Sequence, residues 1–244
     1  MSIRTFFIFF AAGLVAAVAA LWISIPDVAP LRSSAPAETA FMRLRKDEAE
    51  ARGKRLRIEH IWVPLDQISP SLQRGVIVAE DASFYDHHGI DWDGLREALV
   101  RDIRQRRFVR GGSTLTQQLA KNLYLSPSRN PIRKIRELLI TKRLEDELSK
   151  RRIFELYLNS IEWGEGVFGA EAAARRYFGV SAAALTAEQS ALLTAIIPNP
   201  RKFGPRLQSK YVQKRKALIL RRIRSTTVIV EEPDETADEN NEAP

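Results

Sequence analysis

Residues 110–122 of this 244-residue chain read RGGSTLTQQLAKN. Two glycines followed by a Thr-x-x-Gln pattern predict the N-terminus of a helix, whose free backbone N–H groups attract an anion. Apolar side chains at helical spacing define one face, which faces a core: Leu115, Leu119 and Leu123. Polar side chains define another face, which suits a phosphate or a sugar: Thr114, Gln118 and Lys121. A solvated polar face is the alternative interpretation.

Upstream, residues 80–89 read EDASFYDHHG and follow a helix predicted over Leu72–Ala79. Glu80 and Asp81 stand at the end of this apolar helix, beside an aromatic residue and a histidine. A partly desolvated carboxylate there has a raised pKa, which suits a general base. Taken alone, the motif is more typical of a helix-terminal acid in a surface ion pair.

Downstream, residues 133–137 read RKIRE. Glu137 can pair with Arg133 one helical turn earlier, which is the simplest interpretation. The functional alternative is a cationic clamp for a diphosphate, with Glu137 as a second carboxylate. Residues 157–179, with glycines, aromatics and small alanines, are interpreted as the floor of a cleft.

The amino-acid composition further limits the possible classes of fold and functional site. The net charge is +8, and the seven acidic residues of 231–244 are unaccompanied by basic ones, so the remainder carries +15. The strongly positive charge of residues 1–230 indicates an anionic partner. The absence of cysteine excludes disulfides, zinc–thiolate and iron–sulfur sites and a cysteine nucleophile. Helical spacing without long alternating strands predicts a mainly α fold.

Four segments are predicted along the chain. Residues 1–26 are predicted to hold a short N-terminal stub and a single transmembrane anchor, because no charged residue occurs from Thr5 to Pro26. The alternative is a signal peptide cleaved at Ala17-Val18-Ala19. The segments that follow are a juxtamembrane tether (27–57), a compact catalytic domain (58–224) and an acidic disordered tail (225–244).

Taken together, the motifs resemble the five ordered motifs of the peptidoglycan glycosyltransferase family, lysozyme-like domains that polymerise lipid II. The matching segments are EDASFYDHHG (80–89), RGGSTLTQQLAKN (110–122), RKIRE (133–137), KRRIFELYLN with GEGVFGAEAAARRYFG (150–179), and LTAEQSALLTAIIPNP (185–200). The resemblance is to the monofunctional biosynthetic members, so no transpeptidase domain is expected. It implies a mainly α, lysozyme-like glycosyltransferase domain behind a single N-terminal transmembrane helix.

The resemblance also implies residue roles. Glu80 matches the catalytic base that takes a proton from the acceptor sugar, with inversion and release of undecaprenyl diphosphate. Glu137 matches the second conserved acid, which orients the donor or helps to hold a divalent ion. The expected substrate-binding residues are Ser113, Thr114, Gln118, Lys121, Asn122, Arg133 and Lys134. The expected supporting residues around Glu80 are Asp81, Phe84 and His87.

The expected partners are lipid II, the growing glycan chain, membrane lipid and other cell-wall synthases, with no nucleic acid. No cofactor is required by the resemblance, although Mg²⁺ or Mn²⁺ at the diphosphate is an open alternative. The enzyme is expected in the inner membrane with its catalytic domain on the periplasmic side. The segment Trp92–Val109, with Leu95, Leu99, Ile103 and Phe108, is either a membrane-interface segment or an ordinary basic amphipathic helix.

Two rival functions remain open. The first is a hydrolase on the same fold, which would not need the cations Lys121, Arg133 and Lys134 because finished glycan carries no diphosphate. The second is a membrane-anchored binder of anionic lipid or nucleic acid, which would not need Glu80.

Overall fold

The computed structural model describes residues 2–105, 112–128 and 130–225. The predicted acidic tail therefore lies outside the described residues from 226 onward, as do Arg110 and Phe108. The side chains of Leu99 and Ile103 are outside the description as well.

The described chain is mainly helical, which confirms the predicted class. The helices are α1 (Ile3–Ile23), α2 (Ala40–Glu50), α3 (Pro70–Glu80), α4 (Trp92–Gln105), α5 (Leu115–Tyr124), α6 (Pro131–Glu147), α7 (Lys150–Ser160), α8 (Ala170–Phe178), α9 (Ala187–Ile196), α10 (Pro200–Phe203) and α11 (Lys210–Ser225). The strands are β1 (Glu59–His60), β2 (Glu162–Gly164) and β3 (Val167–Phe168).

Helix starts follow the capping residues of the sequence. Ser69, Thr114 and Ser149 each accept a hydrogen bond from a backbone N–H in the first turn of α3, α5 and α7. Thr186 and Gln189 form a reciprocal capping box on α9. Each such cap contributes about 1 kcal/mol, and together they fix where the helices begin.

The core surrounds α9, which packs against α3 and α11, while α5 packs against α6 and α7. The largest fully buried side chains are Trp163, Tyr157, Phe84, Phe154 and Phe168. Burying a side chain of this kind contributes roughly 1.5–3 kcal/mol. The core therefore holds the ends of α3, α5 and α11 in fixed positions relative to one another.

The small sheet has the order β1-β3-β2, with β1 parallel and β2 antiparallel to β3. Gly169, which follows β3, has φ +83°, and a Cβ there would lie 2.9 Å from the carbonyl oxygen of Asn159. Only glycine fits this turn without displacing the backbone.

The segment 27–57, predicted as a tether, packs closely on the domain. Val28 and Leu31 belong to the main hydrophobic core. Helix α2 contacts α5 and buries Met42 and Ala49. The prolines near these residues interrupt regular secondary structure, but the apolar residues beside them are still buried.

Helix α1 is 21 residues long and has exposed phenylalanines at positions 6, 7, 9 and 10. Among the described residues, no helix meets the combined length and hydropathy expected of a membrane span.

Candidate active site

A cavity of about 960 Å³ opens where α3 ends and α5 begins. Its walls include Glu80, Asp81 and His87 from the α3 end and Ser113 and Thr114 from the α5 start. The sequence predicted that these two motifs would serve one site. The fold brings them to one cavity.

Glu80 is the last residue of α3, and its carboxylate is largely buried. Its Oε1 accepts a hydrogen bond of 2.8 Å from Nη2 of Arg215 on α11. Burial raises the pKa of the Glu80 carboxyl above its ordinary value, while the positive charge and hydrogen bond of Arg215 act in the opposite direction. The result is a carboxylate that is more basic than an exposed one and still has a counterion.

Gln118 on α5 fixes the other oxygen of Glu80. Its Nε2 donates to Oε2 of Glu80 at 3.4 Å, and its Oε1 accepts from the Tyr157 hydroxyl at 3.1 Å. Burial raises the pKa of Tyr157 well above its ordinary value, so this hydroxyl remains a donor. Because the amide oxygen is taken by Tyr157, the amide nitrogen faces Glu80.

Asp81 has a different environment from its neighbour. Its Oδ2 accepts from the backbone N–H of Leu115 at 2.8 Å, and Oδ1 lies 3.0 Å from Nε2 of His87. The backbone N–H of Gly89 donates to Nδ1 of His87, so in the neutral imidazole Nε2 carries the proton and donates to Asp81. Asp81 thus ties the end of α3 to the start of α5.

Phe84 is fully buried and packs on Phe154, with ring centroids 5.8 Å apart. It supports the loop that carries Asp81 and His87 and lines no cavity described here. The expected supporting residues Asp81, Phe84 and His87 therefore stabilise this loop and its contact with α5. Among the described residues, none of the three forms a hydrogen bond to Glu80.

Thr114 and Ser113 differ in exposure. Thr114 is buried, caps α5 and donates to the carbonyl oxygen of Gly89 at 2.7 Å. Gly89 has φ +83°, and a Cβ there would meet Cγ2 of Thr141 at 2.7 Å, so this close approach requires glycine. Ser113 is exposed at the cavity wall, where its hydroxyl can meet a ligand.

A smaller cavity of about 220 Å³ is lined by the C-terminal part of α5. Its walls include Gln118, Lys121, Asn122 and Tyr157. Asn122 donates to the carbonyl oxygen of Gln118 at 2.7 Å. Gln118 therefore lines the cavity that holds Lys121 and also donates a hydrogen bond to Glu80, which lines the larger cavity.

Lys121 is partly buried and, within the described residues, forms no ion pair or hydrogen bond. Burial lowers the pKa of its ammonium group, and Arg133 and Lys134 lower it further, while Glu137 and Glu80 raise it. A partly desolvated cation that lines a cavity, without an ion pair to a described side chain, is suited to bind an anionic ligand.

Glu137 on α6 is buried and binds two cations. Arg133 donates to its Oε2 at 2.5 Å, and Lys134 donates to its Oε1. The simple pairing of Arg133 with Glu137 is thus present, together with a second cation. Arg133 and Lys134 remain partly exposed, so they can also face an anion.

Sequence reasoning missed several residues of the site, among them Arg215 and Arg222 of α11 and Phe41 and Arg45 of α2. Arg222 lines the larger cavity and Phe41 the smaller one. The sequence offered only the basic character of α11 as a signal. For the segment Trp92–Val109, the described part has exposed Trp92 and Leu95, which fits either expectation.

Within the described ranges, no group of three or more histidine and acidic side chains could hold a metal ion. Glu137, which the resemblance suggested as a ligand, is already occupied by Arg133 and Lys134.

Comparisons with known proteins find many similar sequences. The transglycosylase family profile matches residues 49–224. A biosynthetic peptidoglycan transglycosylase of Azoarcus sp. (strain BH72) is 52% identical over 191 residues, which cover 77% of this chain and 82% of that protein. A protein of the same name from Aromatoleum aromaticum is 50% identical over 81% of this chain and 84% of its own length. Another from Chromobacterium violaceum is 45% identical over 83% of this chain and 89% of its own length.

Proposed function

The chain belongs to the transglycosylase family and is a peptidoglycan glycosyltransferase. From this premise we propose that it polymerises lipid II, with Glu80 as the general base. Glu80 takes the proton of the acceptor sugar's 4-hydroxyl. The hydroxyl oxygen then forms a bond to the donor's anomeric carbon from the face opposite the diphosphate. The bond from that carbon to the diphosphate breaks, and undecaprenyl diphosphate leaves with the electron pair, so the configuration is inverted.

The observation that carries this proposal is the environment of Glu80. Its carboxylate lines a cavity of about 960 Å³, and burial raises its pKa. A base is most effective when its pKa lies near the working pH, and a well-placed base contributes roughly 10²–10⁴-fold to the rate. Arg215 and Gln118 hold both carboxylate oxygens in place.

Cationic side chains receive the donor diphosphate in this proposal. Lys121 contributes the ammonium group that lacks an anionic partner among the described residues, and Arg133 and Lys134 add charge from α6. They stabilise the negative charge that develops on the leaving group. Glu137 holds the two α6 cations in position. These cations carry the charge that balances the diphosphate.

Ser113 completes the proposed substrate contacts, and Thr114 and Asn122 support them. Ser113 is exposed at the larger cavity and can bind sugar hydroxyls. Thr114 and Asn122 act through α5, since their described hydrogen bonds go to the backbone.

We further propose that α1 attaches the enzyme to the inner membrane, with the catalytic domain on the periplasmic side. The support is a 21-residue helix with exposed phenylalanines and no charged residue after Arg4. Membrane attachment raises the local concentration of a lipid-linked substrate. Fractionation of cells that express the full chain or a deletion of residues 2–26 tests this. We expect the deletion to release the enzyme, and a full-length protein that washes off in salt would contradict it.

The catalytic proposal is tested with purified protein and fluorescent lipid II in detergent. Wild type, Glu80→Gln and the exposed control Glu188→Gln are compared by gel separation of glycan polymers. We expect polymer from wild type and control, and a loss of roughly 10²–10⁴-fold for Glu80→Gln. Polymer at the wild-type rate from Glu80→Gln would remove Glu80 as the base. Absence of polymer from folded wild type would overturn the polymerase proposal.

A further inference from the structure

The aromatic ring of Phe41 on α2 lies beside the ammonium group of Lys121. The Lys121 nitrogen is 5.8 Å from the ring centroid, and the guanidinium carbon of Arg45 is 5.6 Å from the same centroid. Phe41, Arg45 and Lys121 line the same cavity of about 220 Å³. An ammonium group within about 6 Å of an aromatic face is attracted by the ring's quadrupole.

Helix α2 is held in this place by several independent contacts. Thr39 is buried and caps its N-terminus by accepting from the backbone N–H of Met42. Arg45 forms a buried ion pair with Glu162 at 2.8 Å, and Glu48 pairs with Arg201 at 3.1 Å. These contacts fix the backbone of α2 on both sides of Phe41, so the ring position is set by the fold.

The chemistry of the ring explains why an aromatic side chain is useful there. A carboxylate that neutralised Lys121 would occupy its N–H donors and compete with the diphosphate. A ring face stabilises the charge and occupies none of the three donors of the ammonium group. The groups that face Lys121 are Glu137, Arg133 and Lys134 from α6, Glu80 from α3, and Phe41 from α2.

We propose that Phe41 is a positioning residue for glycosyl transfer, which keeps the Lys121 ammonium charged, partly dehydrated and free to bind an anion. The inference rests on the proposed role of Lys121 at the donor diphosphate. Phe41 and most of α2 precede residues 49–224, the part matched by the family profile. This assigns part of the site to a segment that the sequence predicted to be a tether.

The test compares Phe41→Leu, which keeps an apolar side chain but removes the ring, with Phe41→Tyr, which keeps the ring. Met42→Ala is the matched control, because Met42 is buried on the same helix and does not line the cavity. Lipid II polymerisation gives kcat and KM, and the unfolding temperature of each variant reports the stability of the domain.

We expect Phe41→Leu to lose roughly two- to thirtyfold in kcat/KM, the range of a cation–π contact, with Phe41→Tyr close to wild type. Met42→Ala should lower the unfolding temperature more than Phe41→Leu and change kcat/KM less. If Met42→Ala and Phe41→Leu lose activity in proportion to their lost stability, Phe41 only packs α2 and the inference is wrong.

A coupling measurement separates this inference from the proposed function. Phe41→Leu and Lys121→Met are made singly and together, and their unfolding free energies are compared. A non-additive double variant supports the contact, and additivity contradicts it. If Lys121→Met keeps wild-type polymerisation, the proposed role of Lys121 fails instead. If Lys121→Met is inactive and Phe41→Leu behaves as wild type, only the inference about Phe41 fails.

Discussion

The carboxylate of Glu80 and the guanidinium of Arg215 form a 2.8 Å ion pair between residues that are 135 positions apart in the chain. The pair joins the end of α3 to the middle of α11. Arg215 thereby opposes the effect of burial on the pKa of Glu80. The basicity of the proposed catalytic group is thus set jointly by two distant segments.

Replacement of Arg215 by glutamine should shift the pH dependence of catalysis. Arg215 lowers the pKa of Glu80, so its loss raises that pKa and leaves less ionised base at a given pH. We expect the acidic limb of kcat/KM to move to higher pH. Arg221→Gln, on an exposed part of α11, is the control and should leave the limb in place. A limb that stays or moves to lower pH in Arg215→Gln would contradict this.

Replacement of Lys121 by methionine should separate activity from stability. The loss of a preorganised positive charge at the leaving group is expected to cost about 10²–10³-fold in kcat. Because burial disfavours the charged form of Lys121, the free energy of unfolding should be unchanged or higher. Lys142→Met, which affects an exposed pair with Asp146, is the control for both measurements. A large loss of stability with little loss of activity would refute the assignment.

Asp81→Ala should destabilise the domain by roughly 2–3 kcal/mol, because the backbone N–H of Leu115 and the ring of His87 lose their buried acceptor. Denaturant unfolding measures the change. The exposed control Asp66→Ala should stay within about 0.5 kcal/mol of wild type. Equal effects of the two substitutions would show that Asp81 does not tie α3 to α5.

Arg45→Met should cost about 3–5 kcal/mol, since it leaves the buried Glu162 carboxylate without its partner. The double variant Arg45→Met/Glu162→Gln should recover most of this. Burial raises the pKa of Glu162, so the folded state favours its protonated form. The single variant is therefore least stable above that pKa and regains stability as the pH falls through it. Urea unfolding at several pH values measures this, and a pH-independent deficit would contradict the assignment.

Local features of the site could be predicted from sequence. Thr114 caps α5, and Leu115, Leu119 and Leu123 are buried, because capping and helical spacing depend on residues only a few positions apart. The motif at 80–89 did not reveal how its two acids divide their contacts. Asp81 accepts a backbone N–H and Glu80 faces the cavity, and this division depends on how α3 meets α5.

Contacts between distant segments could not be predicted in the same way. Lys214, Arg215 and Lys216 are adjacent basic residues, and only the packing of α11 on α3 and α9 selects Arg215 for Glu80. Phe41 stands in the segment 27–57, which the sequence predicted to be a tether. Its place beside Lys121 results from the ion pair between Arg45 and Glu162, which are 117 positions apart.

The separation of Glu80 from Arg215 has a consequence for protein synthesis. A ribosome delivers α3 long before α11, so a growing polypeptide holds Glu80 before its counterion Arg215 exists. An unfinished chain therefore lacks the complete ion pair, and the proposed base gains its counterion only when nearly all of the described domain has emerged.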